Sequence, residues 1–280
     1  MGKTKGWSDW LSWGRKWASQ PRVSDSVGHW RSGLIDHRKA YSSWGLWQDW
    51  RKDESALLQS SEEIEVLDFG AGCPKEGRMS NVQVGHLAQR ASSDLRKGYW
   101  LSASAAERSR ADLGQKRVKI LELGTCLGSG AAQLLQGCDG RAHYFGLEGS
   151  PALAGKTEVR LKRQFQHSEI SLRVGPFSKT LGPVLDEVGP FDLVFLDGHH
   201  SGRALLSQWE SIRPHLANEA LVVVDDIRWS QDMFAAWNAL AKDEGVETLD
   251  VFRMGLLKTT SSETKGTHSG LVRPPRHLWS

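Results

Sequence analysis

Glu122, Gly124, Gly128 and Gly130 sit within one segment, ILELGTCLGSGAAQLL, with the glycines at the mouth between a strand-like and a helix-like run. A glycine turn of this kind lets backbone approach a ligand closely and aims helix N–H groups at it. Glu148 ends the next strand-like run, 26 residues after Glu122, where a carboxylate can accept both hydroxyls of a ribose. Together these residues argue for a nucleoside-containing ligand. Their GxxxGxG spacing differs from the GxGxxG of dinucleotide sites, and the chain holds no GxxxxGK[ST] phosphate loop. A second glycine turn, IEVLDFGAGCPKEGR at 64–78, carries Asp68, Gly70 and Gly72, but no acid closes a following strand at a suitable distance. It reads as a structural strand and turn ahead of the core.

Two later strand-like runs also end in acids, LVFLDGHHSG at Asp197 and LVVVDDIRWS at Asp225 and Asp226. In a parallel α/β sheet, ligands gather at the carboxyl ends of the strands, so these three carboxylates should converge. They repel one another unless something positive sits among them. A hard divalent cation with oxygen ligands, Mg²⁺ foremost, meets that need. The alternative is that Asp225 or Asp226 caps the following helix or pairs with Arg228. His199 and His200 follow Asp197, each a candidate general base, metal ligand or packing residue, because an imidazole accepts a proton near neutrality.

The elements that must position these groups change character along the chain. From Val118 onward, apolar strands at 118–123, 142–148, 170–174, 191–197 and 220–226 alternate with helical stretches near 129–137, 150–166, 177–188, 202–216 and 230–243. That alternation predicts a parallel sheet covered on both faces. ETLDVFRM and GLLK are close enough to form a hairpin, and the tail SSETKGTHSG reads as polar and loose. Upstream, residues 82–108 are helical in texture. Trp7, Trp10, Trp13 and Trp17 recur at helical spacing, as do Trp44, Trp47 and Trp50, with QPRVSDSVGH at 20–29 as a connector. The expected organisation is a helical Trp-rich extension over 1–116, an α/β core over 117–260 and a tail over 261–280.

The segment from Glu122 to Gly130 resembles the first motif of the class I S-adenosylmethionine-dependent methyltransferases, and the resemblance runs over roughly residues 117–258. It implies a Rossmann-like sheet, mostly parallel with an antiparallel final strand. It further implies S-adenosylmethionine as cofactor, with the glycine turn facing the methionine moiety and Glu148 holding the ribose. Gly175 and Phe177, in VGPFSKTL, fall where this fold contacts the adenine, and Phe177 either stacks on the base or fills the core. In the metal-dependent O-methyltransferase branch, acids at the positions of Asp197, Asp225 and Asp226 bind an ion that orients a substrate hydroxyl pair. The commonest pattern there ends in Asp-Asn rather than Asp225-Asp226. The DGxH shape at Asp197–His200 and the DDIxWSxxMxxAW segment, matched by Asp225 to Trp237, resemble a subgroup of these enzymes. On that likeness His200 and Asp197 are the catalytic candidates, Trp229 a pocket wall and Trp237 a packing residue.

Composition narrows the setting. The chain has 280 residues, 39% hydrophobic and 25% charged, which excludes a disordered or collagen-like protein. Cys73, Cys126 and Cys138 are an odd set without CxxC spacing, so neither a disulfide framework nor a zinc site is indicated, and a cytoplasmic, reducing setting is expected. No apolar run approaches the roughly 20 residues that span a bilayer. Residues 1–53 hold ten Lys/Arg against five Asp, a net of +5 within a chain of +3 (36 minus 33). Nine of the 13 tryptophans fall in the first 100 residues.

The expected function is O-methylation of a small-molecule hydroxyl, Mg²⁺-assisted. A nucleic-acid methyltransferase that grips a strand with the basic Trp-rich segment is one alternative. A non-catalytic S-adenosylmethionine-binding scaffold is another. Against the nucleic-acid reading, Asp197-Gly198-His199-His200 stands where amino-methylating enzymes place Asn/Asp-Pro-Pro-aromatic. The Trp-rich segment reads first as a substrate lid or homo-oligomer contact, with membrane-surface binding next. Deleting residues 1–53 should leave S-adenosylmethionine binding intact in calorimetry while changing acceptor selectivity or assembly state.

Overall fold

The computed structural model describes residue 34 and residues 45–70, 72–111, 116–260 and 268–271. The Trp-rich stretch at 6–19 and the connector at 20–29 lie outside the described residues. Helix α1 (Gly45–Leu58) leads into strands β1 (Glu63–Asp68) and β2 (Arg78–Gln83), then helices α2 (Val84–Ala91) and α3 (Leu95–Ala111). Strands β1 and β2 pair antiparallel as a separate two-stranded sheet. The first glycine turn is therefore the loop of a hairpin, tightened where Asp68 Oδ1 accepts from Gly70 N at 2.7 Å. The segment expected to be helical up to residue 116 thus contains a hairpin. The helical run at 82–108 divides at Ser92–Asp94, because Asp94 Oδ1 accepts from Arg96 N (2.9 Å) and Lys97 N (2.8 Å) and starts a new helix there.

Beyond α3 the chain alternates as expected. Strands β3 (Val118–Leu123), β4 (Ala142–Glu148), β5 (Glu169–Val174), β6 (Phe191–Leu196), β7 (Leu216–Val224), β8 (Val246–Asp250), β9 (Gly255–Thr259) and β10 (His268–Leu271) form one sheet in the order β10-β8-β9-β7-β6-β3-β4-β5. Only β9 runs antiparallel, to both β7 and β8. Strand β10 pairs parallel with β8 from within the tail expected to be loose. A strand that extends a sheet at its edge pairs through its backbone alone, so polar composition does not forbid it.

Helices α3, α4 (Ser129–Gly137) and α5 (Pro151–Gln164) cover one face of the sheet, and α6 (Phe177–Val188), α7 (Gly202–Ile212) and α8 (Gln231–Leu240) cover the other. Alternate residues of β6 divide between the two layers, Phe195 toward the first and Val194 and Leu196 toward the second. Helix α3, assigned from sequence to the extension, buries Tyr99, Trp100 and Leu101 in the first layer. Among the described residues no helix is long and apolar enough to cross a membrane.

Helix α3 also holds β6 by charge at both ends. Lys97 bonds Asp197 just past the carboxyl end of β6 at 2.6 Å, and Arg108 pairs with Asp192 at its amino end at 3.3 Å. The lengths agree: eleven helical residues rise about 16.5 Å and five strand residues about the same. Asp192 Oδ2 in addition accepts from Lys119 N at 2.9 Å, tying β3 into the clamp.

Trp237 on α8 lies buried in the second layer. Trp237→Ala should lower the free energy of unfolding by about 3–5 kcal/mol in urea titrations, as expected for truncating a buried aromatic.

Candidate active site

The chain leaves β3 for β4 and β5 on one side and returns to β6 and β7 on the other, so the sheet order reverses between β3 and β6. A crevice opens outside the carboxyl ends of strands at such a point. Asp197 N donates to the Leu123 carbonyl at 3.0 Å, and Gly124 N to the Leu147 carbonyl at 2.9 Å. Gly124 has φ +91, and a Cβ there would stand 2.6 Å from the Asp197 carbonyl oxygen. Only glycine permits both the left-handed backbone and that approach. Thus the glycine turn and the end of β6, 73 residues apart in sequence, meet at the crevice.

The remaining turn residues divide between the crevice and its foundation. Gly128, in the left-handed region, precedes Ser129 as the cap of α4 and packs on Thr157 and Leu161. Glu122 is buried beneath the turn rather than in the crevice. Tyr144 Oη donates to its Oε2, and Thr125 Oγ1 lies 3.3 Å from the same hydroxyl. Gly130 belongs here too, because a Cβ on it would press on Glu122 Oε1 and Phe195. Burial pushes the Glu122 carboxyl up to about 8, against the Tyr144 hydrogen bond and the Lys97 charge, which lower it.

Glu148 lies at the crevice. Its Oε2 accepts from Cys126 N at 2.7 Å and its Oε1 from Ser150 N at 2.9 Å, so the glycine turn itself orients the carboxylate. Burial raises its pKa, and these backbone N–H groups partly offset the rise. Gly175 N donates to the Glu148 backbone carbonyl at 2.9 Å. Phe177, at the start of α6, packs against the second layer and lies over Gly198, where a Cβ would meet its ring at 2.3 Å. One neighbour was not foreseen. Phe69, from the β1–β2 loop, occupies the space beside Gly149, with a Cβ there falling 2.6 Å from its ring. Leu67 N in turn donates to Ser150 Oγ at 3.4 Å. The hairpin therefore lies against the end of β4, next to Glu148.

The three acids do converge, and two basic side chains meet them. Lys97 Nζ lies 2.6 Å from Asp197 Oδ2 and 2.8 Å from Asp225 Oδ2, with the Phe195 ring 5.2 Å away. Arg253, in the turn between β8 and β9, places Nε 3.0 Å from Asp226 Oδ1 and 3.6 Å from Asp225 Oδ1. Burial would raise the Asp225 carboxyl, yet the charges of Lys97 and Arg253 outweigh it and hold Asp225 below the usual carboxylate range. Asp197 goes the other way, raised by burial and by Asp225 despite Lys97. Neither acid takes the alternative role: Ser230 caps α8, and Arg228 pairs with Asp250 at 2.6 Å.

A divalent ion does not fit this arrangement. An oxygen-ligated Mg²⁺ needs open carboxylate oxygens at about 2.0–2.1 Å, but the ammonium of Lys97 stands between Asp197 and Asp225 at hydrogen-bond distance from both. Among the described residues no group of three His, Cys, Asp or Glu side chains is arranged to hold a metal. The expectation of a metal at Asp197, Asp225 and Asp226 correctly required a positive charge there; the structure supplies it from lysine and arginine. Lys97 could be suspected from sequence only as a cation directly before the apolar run GYWL, one turn after the capping residue Asp94.

His200 Nε2 lies 4.0 Å from Asp197 Oδ1, and its ring is 5.7 Å from that of Trp229, which is 60% exposed. Burial foremost lowers the His200 pKa, with Lys97 and Arg253 acting in the same sense against Asp226 and Asp225. The ring is thus neutral near pH 7 and able to accept a proton. His199 turns aside to Ser201, its Nδ1 3.2 Å from Oγ.

Residues 121–227 match the model of a family described as a methyltransferase domain. Over 110 residues the chain is 36% identical to the catechol O-methyltransferase of Mycobacterium tuberculosis, an alignment that covers 39% of this chain and 48% of that protein. The chain thus matches about half the length of that curated relative. The fold is similar to that of the O-methyltransferase TomG from Streptomyces achromogenes, solved with S-adenosylmethionine, at a TM-score of 0.51 and 20% identity over 61% of this chain and 82% of the other. The matched segment contains the glycine turn, Glu148, Asp197, His200, Asp225 and Asp226. Lys97, Arg253 and Phe69 lie outside it.

The buried carboxyl of Glu122 sets a pH dependence. Its folded value, about 8, lies above the ordinary 4.5, so the stability it contributes is full below 4.5 and is lost as pH rises toward 8. Glu122→Gln should remove this slope. Unfolding free energies in urea should fall less between about pH 5 and pH 8 for the variant than for the unsubstituted chain.

Proposed function

We propose, for a chain whose residues 121–227 match the model of a methyltransferase domain, that it transfers the methyl group of S-adenosylmethionine to an oxygen of a small-molecule acceptor. One observation carries the reading: the glycine turn with Glu148 and the Asp197–His200 rim face each other across the β3–β6 switch point, locked by the Gly124–Asp197 approach. Glu148, oriented by the Cys126 and Ser150 N–H groups, suits the ribose hydroxyls because a carboxylate accepts up to about four hydrogen bonds. Gly175 and Phe177 border the adenine end. The N-terminus of α4 and the turn before it face the methionine moiety.

In the transfer, the acceptor oxygen attacks the sulfonium methyl in line, the carbon–sulfur bond breaks, and the electron pair stays on sulfur as the neutral thioether of S-adenosylhomocysteine. The acceptor proton passes to the neutral ring of His200. Asp197 steadies the imidazolium that forms, and Trp229 provides an aromatic wall beside it. Holding donor and acceptor in attack geometry supplies a large share of the barrier reduction.

His200→Ala should lower kcat by about 10²- to 10⁴-fold while S-adenosylmethionine affinity in calorimetry stays within error. Glu148→Ala should show the reverse weighting, with weakened cofactor binding. The acid limb of kcat/KM should fall below the ordinary histidine value of 6.5, in keeping with the lowered pKa of His200. Absence of cofactor binding by the intact chain would overturn the proposal.

A further inference from the structure

We infer that the acidic rim is neutralised by built-in side chains, with Lys97 taking the place of a divalent ion, and that the acceptor is therefore engaged through a single hydroxyl rather than a chelating pair. The inference about the acceptor rests on the methyltransferase reading; the inference about the ion rests on distances alone. Asp197, Asp225 and Asp226 bring three carboxyl groups to one rim. Lys97 and Arg253 bring two positive charges to them, as many as Mg²⁺ would. The ammonium reaches both buried strand ends, at 2.6 and 2.8 Å.

Lys97 is also difficult to move. Its side chain is 4% exposed and that of Asp225 1%, and the three residues after Gly98 are buried in the first layer. An ion could take the Oδ2 oxygens of Asp197 and Asp225 only if α3 withdrew its lysine, and with it the packing of Tyr99 and Trp100; on the other side, the buried Asp225 Oδ1 faces the Arg253 guanidinium at 3.6 Å. A chelated metal activates two vicinal oxygens by binding both at once. An ammonium occupied by two carboxylates offers no such pair of coordination sites, so proton removal falls to His200 and one hydroxyl suffices.

The test titrates the full-length chain with Mn²⁺, followed by electron paramagnetic resonance and calorimetry up to about 1 mM, where even weak oxygen sites fill. The unsubstituted chain should bind no stoichiometric Mn²⁺. Stoichiometric binding that Asp197→Asn abolishes would overturn the inference. Lys97→Gln, if folded by circular dichroism, should gain Mn²⁺ affinity at least tenfold, whereas Lys97→Arg should not. A folded Lys97→Gln that gains none would remove Lys97 as the excluding group, and if Lys97→Gln does not fold, the unsubstituted chain alone decides.

With S-adenosylmethionine present, monophenols should be methylated at rates that ethylenediaminetetraacetate leaves unchanged. A strict need for vicinal hydroxyls, abolished by the chelator and restored by Mg²⁺, would overturn the acceptor half. If no methyl transfer or cofactor binding occurs at all, the methyltransferase reading fails, while the Mn²⁺ result still judges the rim.

Discussion

Carboxylates brought together at the ends of neighbouring parallel strands must be compensated on the spot, because burial deprives them of water. Asp197 and Asp225 meet that requirement through one lysine from a helix about a hundred residues upstream. Breaking a buried ion pair by removing one partner typically costs about 3–5 kcal/mol, since the other charge is left uncompensated. Helix α3 is therefore committed to its place over β6 by more than apolar contact. Its second ion pair, Arg108 with Asp192, pins the opposite end of the same strand, and Arg253 fixes the β8–β9 turn against the same rim. The direction of α3, the position of β6 and the closure of the final hairpin all depend on this distribution of charge.

A second buried carboxyl, Glu122, is stabilised differently. Among the described residues no cation pairs with it directly; Tyr144 and Thr125 form a short polar chain under the glycine turn. With Gly130 pressed on Glu122 and Phe195, and Gly124 on Asp197, the turn is held from below and from the side. A rigid turn then orients Glu148 through backbone N–H groups alone.

Much of this was legible in the residues. The boundaries of β3, β4, α4 and α6 agree with the apolar runs and the glycine and proline punctuation that marked them, because local pattern decides such elements. The glycine turn, Glu148, Asp197 and His200 stood out in the sequence for the same reason, since each ends or follows a strand, and the structure brings those strand ends to one rim. What escaped was set by partners remote in sequence. Lys97 looks like any lysine on an amphipathic helix until Asp197 and Asp225 are placed beside it. Phe69 belonged to a turn read as structural, which it is, yet its ring reaches Gly149. Strand β10 arises in a polar segment whose pairing is a backbone matter. Glu122 shares a motif with the crevice residues but points into the foundation.

The clamp on β6 bears on where the protein can be divided. The segment that carries the methyltransferase pattern, 121–227, holds all three rim acids and neither cation. Excised as an autonomous unit, or grafted onto another enzyme's leading helices, it would present three adjacent carboxyl groups without the two cations that meet them here. The fold is modular in its strand and helix repeat, but its charge balance extends from α3 to the β8–β9 turn, and any workable cut must respect that longer span.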